Sequence, residues 1–154
     1  MSRRPFPIHI PFVEALGFEL LRFADGHAEV ALDLKSEHQN SWQVAHGGVM
    51  MTMLDVAMAH AARSPRAGVA EDAAVGVATI EMKTSFLQPA EGRLVAHGRL
   101  LHRTRSMAFC EGEIRDAHDR VCAHSTGTFK FLRSLAGRER MPAKNDDTPP
   151  TPRT

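Results

Sequence analysis

Residues 49–62 read VMMTMLDVAMAHAA, and this stretch decides how the rest of the chain folds. Eleven of its fourteen residues are apolar, and its only charged residue is Asp55. Because apolar side chains would cover nearly the whole circumference of such a helix, we expect a helix over residues 49–63 that other structure surrounds. An ionised carboxylate is costly to bury unless a partner pairs with it or a reaction uses it. Asp55 is therefore a candidate catalytic residue, with a buried ion pair as the alternative.

His46-Gly47-Gly48 stands immediately before this helix. The backbone N–H groups at the start of a helix can hold a developing negative charge, and glycine leaves close access to them. Gly47 is thus a candidate donor to an oxyanion, about two turns from Asp55. The alternative is that the two glycines only ease a tight turn from loop to helix.

Strand patterns flank the helix on both sides. Residues 18–23 and 27–34 enclose Ala24-Asp25-Gly26, a typical hairpin turn. Four further strand-like runs follow the helix, at residues 75–87, 92–102, 106–115 and 120–132. The gaps between these four are short, which predicts antiparallel hairpins throughout. With a short helical segment at 7–16, this order predicts an α+β fold with one antiparallel sheet and one buried helix.

Length and composition indicate a single domain, which we place at residues 1–133 of the 154. Residues 134–154 lose apolar side chains and gain Pro, Lys, Arg and Asp, so we expect a disordered tail. The net charge of +1 gives no general attraction to nucleic acid or to acidic membranes. We find neither a membrane-spanning run nor a secretory signal, and two cysteines fit reduced thiols, so we expect a cytoplasmic protein.

Other titratable residues have simpler interpretations. His60 follows Asp55 by five residues, about 500° of helical rotation, so we expect it in the core or an interface. A metal site is a minor alternative because the spacing of the candidate ligands is irregular; these are Cys110, His118, Cys122 and His124.

Asn40, His46-Gly47-Gly48 and Asp55, in this order and spacing, resemble the hot-dog fold acyl-CoA thioesterases, and most closely the phenylacetyl-CoA (PaaI-like) branch. The stretches GVAT (76–79), FLQPA (86–90) and RSMAF (105–109) also fit, and the likeness covers residues 11–132. The resemblance implies a hot-dog fold, with an antiparallel sheet wrapped around one long central helix.

The resemblance also implies a set of site residues. The Gly47 N–H would hold the thioester carbonyl oxygen, and Asp55 would act as nucleophile or as general base for water. Thr79 matches a position where a Ser or Thr holds the acid or water, and Asn40 would do the same through its amide. His46 would hold structure or orient substrate. Turn capping by Asn40 and an ordinary strand threonine at Thr79 are the alternatives.

Oligomer and coenzyme A contacts follow from the same resemblance. It implies a homodimer at minimum, and further a homotetramer, with Asp55 from one subunit and Asn40, His46 and Gly47 from its partner. The expected coenzyme A contacts are Arg103, Arg105, Ser106 and Lys130, with solvated charge as the alternative for each. No cofactor is expected, because coenzyme A is part of the substrate, and no metal is expected, because the chemistry needs none.

The predicted function is hydrolysis of a medium-chain or aryl acyl-CoA to free acid and coenzyme A. The acyl group would enter a pocket between two long helices, beside a face rich in methionine (Met50, Met51, Met53, Met58). One alternative is a non-catalytic acyl-CoA-binding module, and a weaker one is a hot-dog dehydratase or hydratase.

Overall fold

The computed structural model describes residues 3–69 and 75–143. In chain order the elements are α1 (Pro11–Leu16), β1 (Glu19–Ala24), β2 (His27–Asp33), α2 (Gly47–Arg63), β3 (Gly76–Phe86), β4 (Arg93–Arg103), β5 (Met107–Arg115) and β6 (Val121–Leu132). The six strands form one antiparallel sheet around α2. The predicted α+β class and hot-dog fold are therefore confirmed, and each predicted helix and strand is present.

The connection between β3 and β4 differs from the prediction. The strand order is β1-β2-β4-β5-β6-β3, so the hairpin predicted between β3 and β4 is wrong. β6 and then β5 lie between the end of β3, where Phe86 pairs with Ala123, and the start of β4. Three strand spacings amount to about 14 Å, a distance that the connecting residues 87–92 can cross when extended. A short connection therefore did not require a hairpin.

Glycines in the central strands let α2 lie close to the sheet. Gly98 of β4 and Gly112 of β5 are directly paired beneath the helix. A Cβ added to Gly98 would lie 2.4 Å from the Ala57 carbonyl oxygen, closer than any real contact. At Gly127 of β6 an added Cβ would lie 3.1 Å from the Met58 side chain. The small residue in the middle of β6 thus lies where the helix packs.

A segment near the start of the described chain pairs with one near its end. Within the predicted tail, Leu135 and Arg138 form a bridge across a tight turn, and Pro142 forms a bridge with Ile8. Residues 144–154 lie outside the part of the chain that the structure describes, so the boundary at 133 stays a prediction. No helix within 3–69 or 75–143 is long and apolar enough to cross a membrane.

Candidate functional site

Asp55 lies in the middle of α2, on the side that faces β3. The Thr79 hydroxyl donates a hydrogen bond of 2.6 Å to Asp55 Oδ1. Burial raises the pKa of the Asp55 carboxyl, and the bond from Thr79 partly opposes this rise. Among the described residues no donor reaches Asp55 Oδ2. The site therefore holds a partly desolvated carboxylate, oriented through one oxygen and available through the other.

A β-bulge in β3 directs the Thr79 side chain towards α2. Thr79 pairs with Phe129 and Glu81 pairs with Thr128, which leaves Ile80 as an extra residue in β3. Thr79 faces α2, whereas Glu81 accepts a hydrogen bond from the Thr128 hydroxyl on the outer face of the sheet. Without the extra residue, strand alternation would put both side chains on one face. The bulge therefore sets the direction of Thr79 and leaves Ile80 54% exposed at the sheet edge.

The start of α2 is capped by His46. Its Nδ1 accepts a 2.9 Å hydrogen bond from the Gly48 N–H, and its carbonyl accepts from Val49 and Met50. Through these bonds both the ring and the carbonyl of His46 cap the first turn of α2. Within the described part of the chain, the Gly47 N–H has no acceptor. That N–H is therefore available to a ligand at the positive end of the helix.

Gly47 lines a pocket of about 270 Å³ between the helix start, the loop before it and the end of β3. The lining residues are Asn40, Val44, Ala45, Gly47, Met50, Phe86, Leu87, Gln88, Pro89 and Ala90. Asn40 Oδ1 accepts from the backbone N–H groups of Trp42 (2.9 Å) and Val44 (3.4 Å), so this oxygen caps the turn. The amide nitrogen of Asn40 takes no part in those two bonds.

The candidate catalytic residues form two separate groups in one chain. Asp55 and Thr79 form one group, and Asn40 and Gly47 line the other. Asp55 follows Gly47 by eight positions on α2, which corresponds to about 12 Å along the helix axis. A single chain therefore keeps the acid apart from the Gly47 N–H.

The expected coenzyme A contacts lie at one end of the sheet but not on one face. Arg103 pairs with Ala108, which pairs with Phe129, and Phe129 in turn pairs with Thr79. Arg103 and Thr79 therefore lie in one row across the sheet. Its guanidinium donates to the Ala62 carbonyl at the end of α2 (3.3 Å) and lies 3.9 Å from the centre of the Phe131 ring. Arg103 therefore has contacts on the helix side of the sheet even without a ligand.

Arg105 and Ser106 are exposed at the tip between β4 and β5, where the Ser106 carbonyl accepts from the Phe131 N–H (2.9 Å). Lys130 follows the buried Phe129 in β6 and is exposed on the outer face. Strand alternation thus directs Lys130 away from the face that carries Arg103.

Three further candidate residues, His60, Cys110 and Cys122, are buried. His60 is buried between Phe6 and Phe23, as predicted for a core histidine, and burial lowers its pKa to about 4. Cys110 and Cys122 are buried free thiols, and burial raises the pKa of Cys110 to about 12. Within 3–69 and 75–143, no three His, Cys, Asp or Glu side chains converge in an arrangement that could hold a metal ion.

Some methionines of α2 lie in the core, and one lines the pocket. Met53 and Met58 are fully buried, and Met58 packs over the glycines of the central strands. Met50 lines the pocket beside Gly47. Phe86 also lines this pocket but was not among the predicted site residues. The stretch FLQPA at 86–90 could have indicated Phe86 from the sequence. It begins with the last residue of β3 and returns to the start of α2.

Comparison with known proteins places these features in a family. The model of the thioesterase superfamily matches residues 43–123, more than half of the chain. The "Medium/long-chain acyl-CoA thioesterase YigI" of Salmonella typhimurium is 27% identical over 135 residues, covering 80% of this chain and 87% of that protein.

Solved structures agree with this match. A conserved protein of Pseudomonas aeruginosa has a TM-score of 0.74 at 28% identity, over 82% of this chain and 97% of that one. A mutant of the phenylacetic acid degradation protein PaaI from Thermus thermophilus has a TM-score of 0.69 at 26% identity, over 80% and 100% of the two chains. The predicted likeness to the PaaI branch is supported, and the chain belongs to the thioesterase superfamily.

Proposed function

We propose that this protein hydrolyses a medium-chain or aryl acyl-CoA to the free acid and coenzyme A. The observation that carries the proposal is the hydrogen bond of 2.6 Å from Thr79 to Asp55. It orients an acid, in a helix otherwise nearly apolar, whose pKa is raised by burial. Such an acid takes a proton more readily than a fully solvated carboxylate, and it can also attack a carbonyl. The family and the relatives named above favour a thioester as the substrate.

Two routes of hydrolysis are open, and in both only Asp55 and water react with the thioester. As a general base, Asp55 takes a proton from water, the hydroxide attacks the carbonyl carbon, the carbon–sulfur bond breaks, and the thiolate receives the proton. As a nucleophile, the carboxylate attacks, the carbon–sulfur bond breaks, and the thiolate takes a proton from solvent. Water then cleaves the mixed anhydride to the free acid, regenerates the Asp55 carboxylate and returns a proton to solvent. In both routes an N–H donor stabilises the oxyanion, and we assign this donor to Gly47.

The proposal requires a homodimer, because Asp55 and Gly47 are about 12 Å apart along one helix. Asp55 and Thr79 of one subunit would face Asn40, His46 and Gly47 of the partner subunit. Support comes from β3, an eleven-residue strand at the sheet edge whose outer side is unpaired within the described residues and carries the exposed Ile80. Natural sheets seldom leave such an edge uncovered. A homotetramer built from two such dimers is part of the same proposal.

The coenzyme A phosphates would lie near the β4–β5 tip. Arg103, Arg105 and Ser106 lie at this end of the sheet, which also carries Thr79. Lys130 is on the outer face, so we assign it a weaker, long-range contribution through charge.

A substrate panel with Asp55→Asn tests the function. We expect thiol release from several acyl-CoA substrates, and a fall in kcat of about 10²- to 10⁴-fold in the variant. The matched control is Asp33→Asn in β2, where the carboxylate binds Arg93 on the side of the sheet far from β3. Tight acyl-CoA binding without thiol release would instead favour the non-catalytic module, and a change at the acyl double bond without thiol release would favour the dehydratase.

Replacement of Ile80 tests the dimer. We expect Ile80→Lys to lower the molar mass in solution and to reduce thioesterase activity, because a charge at the edge of β3 opposes strand pairing there. Leu101→Lys is the control, since Leu101 is similarly exposed (49%) at a bulge of β4 but in a strand with two neighbours. An active monomer would contradict the shared site.

A further inference from the structure

The pocket beside Gly47 has an aromatic wall formed by Phe86, the last residue of β3. A Cβ added to Gly47 would lie 3.4 Å from Cζ and 3.5 Å from Cε1 of the Phe86 ring. The ring edge therefore packs directly against the glycine whose N–H is available to a ligand. An acyl group whose carbonyl oxygen reached that N–H would meet the ring within its first few carbon atoms.

Strand alternation fixes the direction of this ring. Phe86 pairs with the buried Ala123 on the helix side of the sheet, two positions after Thr84, whose hydroxyl bonds the buried Ser125. The ring is nevertheless 51% exposed, because it borders an open pocket rather than the packed core. In the single chain a large aromatic surface is thus left uncovered, at the site where an acyl group would pack.

The rest of the pocket is uncharged and small. None of the ten lining residues, all within the described ranges, carries a charged side chain. Its volume of about 270 Å³ is below the usual range of pockets for drug-sized ligands. Such a pocket matches a compact, uncharged acyl group and disfavours one that carries a second carboxylate.

We propose that Phe86 is the residue that limits the acyl group of the substrate to a compact, uncharged one, by closing the pocket next to the Gly47 N–H. This inference rests on the proposed thioesterase function. The limit is assigned to a single ring at the end of β3.

The test compares kcat/KM across straight-chain acyl-CoA substrates of increasing length, together with phenylacetyl-CoA and a dicarboxylic acyl-CoA. We expect the unmodified protein to favour compact, uncharged groups. Phe86→Ala should raise kcat/KM for the longest chains at least about 10-fold and lower it for phenylacetyl-CoA by a similar factor. Phe86→Leu, a smaller change, should give an intermediate profile and guards against misfolding of the alanine variant.

Phe109→Ala is the matched control, since Phe109 is a partly exposed phenylalanine on the outer face of β5. Its acyl-length profile should equal that of the unmodified protein. If the unmodified protein hydrolyses acyl-CoA and both Phe86 variants keep its profile, the inference about Phe86 is wrong while the proposed function stands. If the unmodified protein hydrolyses none of these substrates, the proposed function fails, and the inference fails with it.

Discussion

Thr79 and Asp55 are 24 residues apart in the chain and are joined by a hydrogen bond of 2.6 Å between the edge strand and the central helix. Thr79 is the donor, so the bond favours the ionised form of the acid, while burial favours the neutral form. The balance between these two effects sets the pH at which Asp55 becomes a usable base or nucleophile.

Thr79→Val should move the acidic limb of the pH–activity profile to higher pH. Valine keeps the shape of threonine but removes the hydroxyl donor, so the pKa of Asp55 rises further. The acid then ionises only at a higher pH. On that acidic limb we expect kcat/KM at a given pH to fall by about 10-fold. Thr79→Ser, which keeps a donor, should restore the original profile. A uniform loss with no change in the shape of the pH profile would contradict this role.

Asp55→Asn should make the folded protein more stable at neutral pH. The folded-state pKa of Asp55 is raised, so its ionisation opposes folding at pH 7. Below the unfolded pKa the acid is neutral in both states, and the advantage of the variant should disappear there. Thermal unfolding of both proteins between about pH 7 and about pH 3 measures this difference.

Asp116→Asn is the control of opposite sign. Hydrogen bonds from Arg120, including one of 2.8 Å, lower the pKa of Asp116 to about 2, so its charged form stabilises the fold. That variant should be less stable at neutral pH. If both variants were less stable than the unmodified protein at neutral pH, the burial of Asp55 would not oppose its charge.

Local sequence patterns carried enough information to predict the elements of this fold. The apolar circumference of residues 49–62 required a helix inside other structure, and alternation and turn residues marked the strands. They could not predict which strands pair, because pairing depends on where the curved sheet closes around α2. The link from Phe86 to Arg93 has the length of a hairpin, yet it passes two other strands.

The site was predicted less completely than the fold, for the same physical reason. Asp55 was proposed because a charge in an apolar run is costly, and Thr79 was proposed from the resemblance; the structure joins the two by a hydrogen bond. The bulge at Ile80 and the packing of Phe86 on Gly47 depend on tertiary contacts that leave no local periodicity. The pairing of Gly98 with Gly112 likewise cannot be predicted before the strand register is known.

Gly98→Ala should be much more destabilising than Gly112→Ala, although the two glycines are neighbours in one row. The new methyl at Gly98 would meet the helix backbone at 2.4 Å (Ala57 O), which cannot move without displacing α2. At Gly112 the nearest atoms are 3.2 Å away and include flexible side-chain atoms of Leu54 and Met58. We expect losses of about 3 kcal/mol or more and about 1 kcal/mol in the free energy of unfolding, measured with urea. Similar losses would contradict the close approach.

His60 should make the fold sensitive to mild acid. Its Nδ1 donates to the Val56 carbonyl (2.8 Å), and Nε2 has no partner among the described residues. Because burial lowers its folded pKa from 6.5 to about 4, the unfolded chain binds a proton between these two pH values that the folded chain does not. Stability should therefore fall as the pH drops through this window, by about 3 kcal/mol at most from this residue.

Replacing His60 by leucine should flatten this pH dependence. The leucine fills the space between Phe6 and Phe23 and cannot titrate, so the free energy of unfolding of His60→Leu should change less between pH 7 and pH 4. His118→Leu, in the exposed turn between β5 and β6, should keep the dependence of the unmodified protein. Parallel curves for the unmodified protein and His60→Leu would show that His60 does not cause the acid sensitivity.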